Sequence, residues 1–330
     1  MILVTGGGGF LGKALVKALR ERGEAVRSFS RGDYPELRAL GVETLRGDLS
    51  DSEAVAQAVA GCEAVLHVGA KAGQWGRYES YHAVNVRGTE NVLQACRAQG
   101  VPRLVYTSSP SVIDAGSPIE GGDESLPYPT QHVSPYSETK AIAEKAVLQA
   151  NDATLSTAAI RPPIIWGPGD TQFLPRIVAR ARRGYFPRVG SGDARNDVTY
   201  IDHAVAAHLL ALDGLTPDAP IAGGVYFISD DRPTTPHDFF MRQLDAAGYQ
   251  PRVLPVSPQV AMGAARLAEG AYRLLNLEKE PPLTRFLVQQ YTTPRWFDIR
   301  AARRDLGYAP TISLEEGMAR LRAHLAQHPL

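Results

Sequence analysis

Five glycines crowd residues 5–12, Thr5-Gly6-Gly7-Gly8-Gly9-Phe10-Leu11-Gly12, directly after the apolar run Ile2-Leu3-Val4. Such a run suits a backbone that must turn sharply out of a buried strand and into a helix. The glycines have separable tasks. Gly6 permits the tight turn, Gly9 lets the backbone approach a pyrophosphate, and Gly12 lets the helix pack closely on the strand. The N–H groups that open the helix, around Phe10 and Leu11, then face an anion. Strand, glycine turn and helix in this order predict the first unit of a doubly wound sheet.

The next 150 residues keep that rhythm. Short apolar runs rich in β-branched residues, at 1–5, 24–29, 42–46, 64–68, 103–107 and 155–160, read as buried parallel strands. Helical patterns separate them at 10–22, 34–40, 51–60, 80–99 and 135–151. The expectation is an α/β Rossmann fold, a doubly wound parallel sheet over residues 1–160. Beyond it, Pro162-Pro163, Gly167-Pro168-Gly169 and Gly190-Ser191-Gly192 mark long loops. Strands near 197–201 and 225–229, around a helix at 202–213, return to the sheet. Residues 236–325 read as helices and proline-rich turns without a clear sheet. Residues 161–330 thus form a mixed region with a smaller C-terminal substrate-binding lobe. The helix at 258–276 carries Val260, Ala264, Leu267, Tyr272 and Leu275 between Arg266 and Arg273. Core packing is the default reading; a membrane-surface helix, a partner helix or a lid has the same pattern.

Composition narrows the function classes. Formal net charge is +0 with 21% charged residues, which offers no global attraction to nucleic acid. Cys62 and Cys96 lack metal-ligand spacing and read as reduced, partly buried thiols of a reducing compartment, the cytoplasm. No signal peptide and no transmembrane helix are expected. His203 and His208 lack an obvious third ligand, so no metal is assigned.

The second strand ends Ser28-Phe29-Ser30-Arg31-Gly32. An NAD site places an acidic residue there for the ribose hydroxyls. Ser30 removes that repulsion and Arg31 can grip a 2′-phosphate, so NADPH/NADP+ is expected. In the contrary reading Arg31 is solvated and Asp33 serves the ribose. Asp48-Leu49 follows the third strand, where the carboxylate can accept from the adenine amino group; Ser50 or Asp51 is the better helix cap.

Tyr136 and Lys140 stand four apart in Ser-Pro-Tyr-Ser-Glu-Thr-Lys, on one helix face. An ammonium beside a phenol lowers its pKa and readies it for proton transfer. The chain has 13 tyrosines and six lysines. Chance supplies roughly 0.24 such pairs, so the pair needs the cofactor site and a nearby hydroxyl to mean anything.

These residues, with Gly47-Asp48-Leu49, His67-Val68-Gly69-Ala70, Asn85-Val86-Arg87-Gly88-Thr89, Tyr106-Thr107-Ser108-Ser109, Arg161-Pro162-Pro163 and Asp305-Leu306-Gly307-Tyr308, resemble the extended short-chain dehydrogenase/reductase family over nearly the whole chain. The resemblance implies that Ser109, with Ser108 as the alternative, holds the substrate carbonyl and that Tyr136 gives the proton. It implies that Lys140 binds the nicotinamide ribose and depresses the Tyr136 pKa. Gly69 would lie near the cofactor, Pro162 and Ile164 would border the nicotinamide, and Asn85 would be structural. Residues 136–147 and Trp166-Gly167-Pro168-Gly169-Asp170 look like the 3β-hydroxysteroid dehydrogenase-like branch. Within it, Lys71-Ala72-Gly73-Gln74-Trp75-Gly76 and Thr107-Ser108-Ser109-Pro110-Ser111-Val112 are similar to bacterial enzymes that reduce 2-alkyl-3-oxoalkanoates in long-chain olefin biosynthesis.

That likeness implies a lipid-like substrate with two alkyl chains and a carboxylate. Lys71, Arg77, Arg188 and Arg195 are the candidate cations. Trp75, Trp166, Phe173, Phe186 and the 258–276 helix are candidate channel walls, with core packing as their competing role. A homodimer through the 80–99 and 135–151 helices, and association with other olefin-biosynthesis enzymes, are the implied partners. Rival readings are a hydroxysteroid or sterol-carboxylate dehydrogenase, a nucleotide-sugar epimerase or dehydratase, and a non-catalytic dinucleotide sensor.

Overall fold

Neighbouring residues of the first strand part company: Leu3 enters one core, Ile2 and Val4 the other. Val65 and Ala159 follow Leu3, while Leu66, Ala158 and Ile160 follow Ile2. Successive strand side chains point to opposite faces, so a strand apolar at every position needs helices on both. The computed structural model describes every residue except Gln74, Asn276 and Glu278. Gln74 of the 71–76 motif and Asn276 of the expected 258–276 helix therefore lie outside the described residues.

The first half alternates strictly: β1 (Ile2–Thr5), α1 (Phe10–Glu21), β2 (Val26–Ser30), α2 (Pro35–Ala39), β3 (Glu43–Arg46), α3 (Ser52–Val59) and β4 (Ala64–His67). Then come α4 (Tyr78–Tyr81), α5 (Gly88–Gln99), β5 (Arg103–Thr107), β6 (Ile119–Gly122), α6 (Pro135–Gln149) and β7 (Ser156–Arg161). The second half holds β8 (Ile164–Trp166), α7 (Leu174–Ala181), β9 (Tyr185–Val189), β10 (Val198–Tyr200), α8 (Ile201–Gly214) and β11 (Val225–Phe227). It closes with α9 (Pro236–Ala246), β12 (Arg252–Val256), α10 (Pro258–Leu274), α11 (Arg285–Thr292), β13 (Arg295–Phe297) and α12 (Leu314–Gln327).

The central sheet has seven strands in the order β11-β7-β5-β4-β1-β2-β3, all parallel. The order reverses between β1 and β4, and the crevice at such a reversal is where a doubly wound sheet binds its ligand. Helices α1 and α8 cover one face, α3, α5 and α6 the other.

Two expectations change. The helix expected at 80–99 is α4 and α5 joined by a π-helical turn, His82–Arg87. Asn85 sits in that turn; its Oδ1 accepts from the Lys71 N–H at 2.7 Å and its Nδ2 donates to the Lys71 carbonyl at 3.2 Å. An inserted residue in a helix is the usual way to aim one side chain at a site. The last third, expected without a sheet, contributes β12 and β13, which pair in parallel with β9 and β6. These short partners are remote in sequence, so local periodicity cannot reveal them. Cys62 and Cys96 are free thiols, buried rather than partly buried.

Helix α6 is tied to the sheet from inside. The Arg161 guanidinium, at the end of β7, donates to both Glu144 carboxylate oxygens at 2.9 and 2.6 Å, and Tyr128 adds its hydroxyl at 2.7 Å. Both charged side chains are at most 2% exposed. Removing one partner of such a pair strands a buried charge and costs about 3–5 kcal/mol. The pair sets the rotation of the helix that bears Tyr136 and Lys140.

Candidate active site

Gly6 has φ +68°, and a Cβ there would come within 2.7 Å of the Gly69 Cα. A Cβ on Gly12 would strike the Gly6 carbonyl oxygen. Both positions require glycine, for conformation and for closeness, and the result is an open crevice above the carboxyl ends of the strands. This cleft has a volume of about 280 Å³. Gly6, Gly9, Phe10, Leu11 and Gly12 line it together with Gly69. Ser30, Arg31, Asp48 and Leu49 close it on the β2–β3 side; Thr107, Ser108, Tyr136 and Lys140 close it on the β5 side.

At the first end, the Ser30 hydroxyl accepts the Gly8 N–H at 3.1 Å. Asp48 accepts from the Ser50 N–H and hydroxyl at 2.9 and 2.7 Å. Burial would raise the Asp48 carboxyl, but the Ser50 bonds and the Arg31 charge outweigh it and hold it below the ordinary value. Asp33, the contrary candidate for the ribose, is exposed and engaged by Arg38. Asp51 caps α3. Tyr34, which carries no sequence signal, packs over Gly8 with Lys13 Nζ 5.0 Å from its ring centre.

The middle of the cleft rests on a buried chain of bonds. The Thr5 hydroxyl accepts the Gly69 N–H at 3.0 Å and meets His67 Nδ1 at 2.7 Å. His67 Nε2 meets the Thr89 hydroxyl at 3.0 Å, which donates to the Asn85 carbonyl at 2.6 Å. Burial first, then the Lys140 charge, push the His67 imidazole down to about 3, so it stays neutral. The bonding pattern then assigns the proton to Nε2.

Lys140 and Tyr136 share the catalytic end. Lys140 Nζ donates to the Thr107 carbonyl at 2.6 Å and stands 4.0 Å from the Tyr106 ring centre. Burial lowers the ammonium to about 7, against a smaller opposing pull from Glu144. Burial likewise raises the Tyr136 phenol, with the Ser109 hydrogen bond pulling the other way. The expectation that Lys140 depresses the Tyr136 pKa is therefore corrected: the ammonium is itself desolvated and committed to Thr107. A phenol held above its ordinary value is loaded with a proton near neutrality, the state a proton donor needs. His208 backs this corner, accepting from the Thr107 hydroxyl at 2.8 Å and donating to the Ala204 carbonyl at 2.7 Å; burial holds it neutral at about 4.

The two serines divide their work. Ser109 accepts from the Ser111 N–H at 3.2 Å and from its hydroxyl at 3.0 Å, capping the 3₁₀ turn Pro110–Ile113, and its hydroxyl pulls the Tyr136 phenol down against burial. Ser108 lines the cleft with a buried Oγ that has no partner.

Other sequence candidates fall elsewhere. Pro162 is buried and Ile164 half-buried outside the cleft wall, where Ile165 stands instead; strand alternation in β8 turns one neighbour in and the other away. Trp166 is core, 1% exposed, against Tyr200 and Phe239, and its Nε1 donates to Asp230 at 3.1 Å. Phe186 is also core. Arg188 and Arg195 are exposed, and Arg77 is exposed beside Glu79. Lys71 donates to Ser80 at 2.7 Å and Trp75 donates to the Leu277 carbonyl at 3.1 Å. None of these seven, from Trp166 to Trp75, lines the cleft. His203 is a strut, with Nδ1 2.7 Å from Asp230 and Nε2 accepting from Thr311 and Ile312. Among the described residues no group of three or more His, Cys, Asp or Glu gathers to hold a metal, and no helix is long and apolar enough to cross a membrane. A second hollow of about 540 Å³ near Asp123, Tyr226 and Arg304 shares no residue with the cleft.

A crevice at the strand-order reversal, a glycine turn at a helix N-terminus, and a tyrosine, a lysine and a serine at one end define a dinucleotide-dependent oxidoreductase of the short-chain dehydrogenase/reductase type. The chain belongs to the 3-beta hydroxysteroid dehydrogenase/isomerase family, whose sequence model matches residues 3–256. It is 53% identical over 328 residues to the 2-alkyl-3-oxoalkanoate reductase of Stenotrophomonas maltophilia (strain K279a), covering 98% of this chain and 99% of that one. It is 45% identical over 330 residues to the 2-alkyl-3-oxoalkanoate reductase of Shewanella oneidensis, covering 98% and 85%. The structure of MoeE5 in complex with UDP-glucuronic acid and NAD superposes with a TM-score of 0.76 at 25% identity, covering 99% of both chains. The protein is an oxidoreductase acting on CH–OH or C=O groups, and its cofactor class is the nicotinamide dinucleotides.

Proposed function

We propose that the protein reduces a 2-alkyl-3-oxoalkanoate to the 2-alkyl-3-hydroxyalkanoate with NADPH, as a step of long-chain olefin biosynthesis. The observation that carries this reading is the convergence of Tyr136, Lys140 and Ser108 at one end of a cleft in a chain so similar, end to end, to named reductases of such acids. The reduced nicotinamide supplies the hydride that C3 receives. Tyr136 gives its proton to the C3 oxygen as charge develops there. The Ser109 hydroxyl would steady that oxygen, and the unpartnered Ser108 hydroxyl lies on the same side of the cleft. Donors fixed in a water-poor site stabilise such charge best. Lys140, whose Nζ donates to the Thr107 carbonyl, would grip the nicotinamide ribose. Gly6, Gly9 and Gly12 would cradle the pyrophosphate, Asp48 would take the adenine amino group, and Arg31 the 2′-phosphate.

Arg31 supports the choice of NADPH over NADH because it lines the cleft where Asp33 does not. A cytoplasmic homodimer through α5 and α6, working beside other olefin-biosynthesis enzymes, belongs to the same reading; Ile142, 37% exposed on α6, is its one apolar support. A substrate panel read by NADPH oxidation tests the proposal. Turnover of a 2-alkyl-3-ketoacid well above that of a 3-ketosteroid is expected, and preferential steroid turnover would sink it.

A further inference from the structure

Arg295 opens β13 with a buried guanidinium that is only partly satisfied. Its side chain is 12% exposed, and its Nη2 stands 3.2 Å from the carboxylate of Asp114, itself 5% exposed. Yet neither Nε nor Nη2 has a hydrogen-bond partner among the described residues. Asp114 meets the charge without filling the donors; its Oδ1 accepts the Gly116 N–H at 2.7 Å instead. Burial lowers the Arg295 guanidinium, with Asp114 pulling the other way. Buried donors left open are rare in folded proteins, and each calls for a partner. No other guanidinium among the described residues has two buried nitrogens open.

The open nitrogens form one edge of the guanidinium. Through that same edge, Nε and Nη2 of Arg161 hold both Glu144 oxygens at 2.9 and 2.6 Å. Two parallel N–H groups match the two oxygens of a carboxylate. A guanidinium can serve two carboxylates at once, as Arg320 serves Asp202 and Glu316 at 3.0 and 2.5 Å. The backbone holds the fork in place. The Arg295 N–H donates to Asn196 Oδ1 at 2.8 Å, and its carbonyl accepts the Asp197 N–H at 2.9 Å.

The fork stands at the catalytic corner, because Asp114 closes the turn that Ser109 opens. Ser109 caps Pro110–Ile113, and the Asp114 N–H donates to the Ser111 carbonyl at 3.3 Å. A 3₁₀ turn rises about 2 Å per residue, which puts Asp114 about 10 Å from Ser109. The chain then passes the start of the Tyr136 helix. A Cβ on Gly116 would lie 3.7 Å from the Val133 side chain, just ahead of α6, and 3.8 Å from Nε2 of Gln289 on α11. Arg295 thus reaches in from the C-terminal lobe to the turn that joins Ser109 to the approach of Tyr136.

We propose that Arg295 binds the substrate carboxylate side-on through Nε and Nη2, and so selects an acid over its neutral ester. Asp114 aims the guanidinium and leaves the carboxylate-shaped edge to the ligand. An acid held there lies in one orientation against Tyr136. The identity of the acid rests on the 2-alkyl-3-oxoalkanoate reading above; the anion seat itself does not.

The test compares NADPH turnover of a short-chain 2-alkyl-3-ketoacid with that of its methyl ester. Arg295→Lys keeps a charge beside Asp114 but loses the fork. Arg295→Met combined with Asp114→Asn strands no buried charge. Fluorescence titration with NADPH checks the fold of both. The wild type is expected to favour the acid by kcat/KM, and both variants to lose about tenfold or more of that preference, through KM for the acid. A wild type without the preference, or a ratio that both variants keep, overturns the proposal. So does an equal loss for acid and ester, the mark of a merely structural role. Calorimetric titration of the NADP+ complex with 2-butyloctanoate separates the two readings. If the wild type reduces neither compound, the β-keto acid falls. Binding of 2-butyloctanoate that both variants weaken about tenfold then still carries the anion seat, and no binding, or binding that both variants keep, overturns it.

Discussion

The two walls that meet at Tyr136 are built differently. The dinucleotide side consists of strand ends and one helix start, held by backbone geometry and by bonds such as Gly69 to Thr5 and Gly8 to Ser30. The region beside it, the 71–81 segment with Arg176 of α7 and Glu280, touches the cleft only through Ala72. Its charged groups largely answer one another: Lys71 meets Ser80, Arg77 meets Glu79, and Arg176 meets Glu280 at 2.9 Å. A wall made of sheet register has little freedom, because a strand cannot slip without turning every side chain to the wrong face. A wall made of side-chain pairs between distant segments can be rebuilt without disturbing the sheet.

The largest effect that sharpens this contrast comes from the meeting point. Tyr136→Phe is expected to lower kcat about 10²–10⁴-fold while NADPH binding, followed by fluorescence titration, stays as in the wild type. Wild-type turnover in this variant would remove Tyr136 from the chemistry. The next effect lies wholly on the dinucleotide side. Arg31→Ala should raise KM for NADPH about 10–100-fold, the worth of one charged hydrogen-bond set, and leave KM for NADH and for the ketoacid in place. An equal loss for both cofactors would mean that Arg31 does not read the 2′-phosphate.

The smallest effect is a slope. Lys140 falls from the usual 10.5 to about 7 on burial. Between those values the unfolded chain binds more protons than the folded one, so stability rises with pH across this window. The cost of burying the ammonium is full below about pH 7 and fades toward pH 10.5. Lys140→Met should remove that rise, so urea midpoints of wild type and variant should differ in slope between about pH 7 and pH 10. Parallel profiles would show that the ammonium is solvated.

Legibility followed the same boundary. The glycine turn, Ser30, Arg31, Asp48 and Gly69 were readable because each acts within a few residues of its own strand end, and all line the cleft. Tyr34 was not readable, since its place over Gly8 depends on how α2 folds back. Nor was Glu144, an ordinary helix glutamate until β7 brings Arg161 to it. The substrate-side candidates all lie outside the cleft lining. Lys71, Arg77, Arg188 and Arg195 were chosen as cations, but charge in a sequence does not say which cation is already paired or which faces water.

By itself the sequence determined the layered sheet, the phosphate-cradling turn and the tyrosine–lysine helix, because these rest on local steric rules and on periodicity within single elements. Only the tertiary structure decided the direction of the pKa shifts around Tyr136, the different surroundings of Ser108 and Ser109, and the outward turn of α10. Each of those depends on burial and on partners brought from far along the chain: His208 reaches Thr107 across 101 residues, and Leu277 reaches Trp75 across 202. Desolvation is a property of the packed surroundings, and no run of neighbouring residues encodes it.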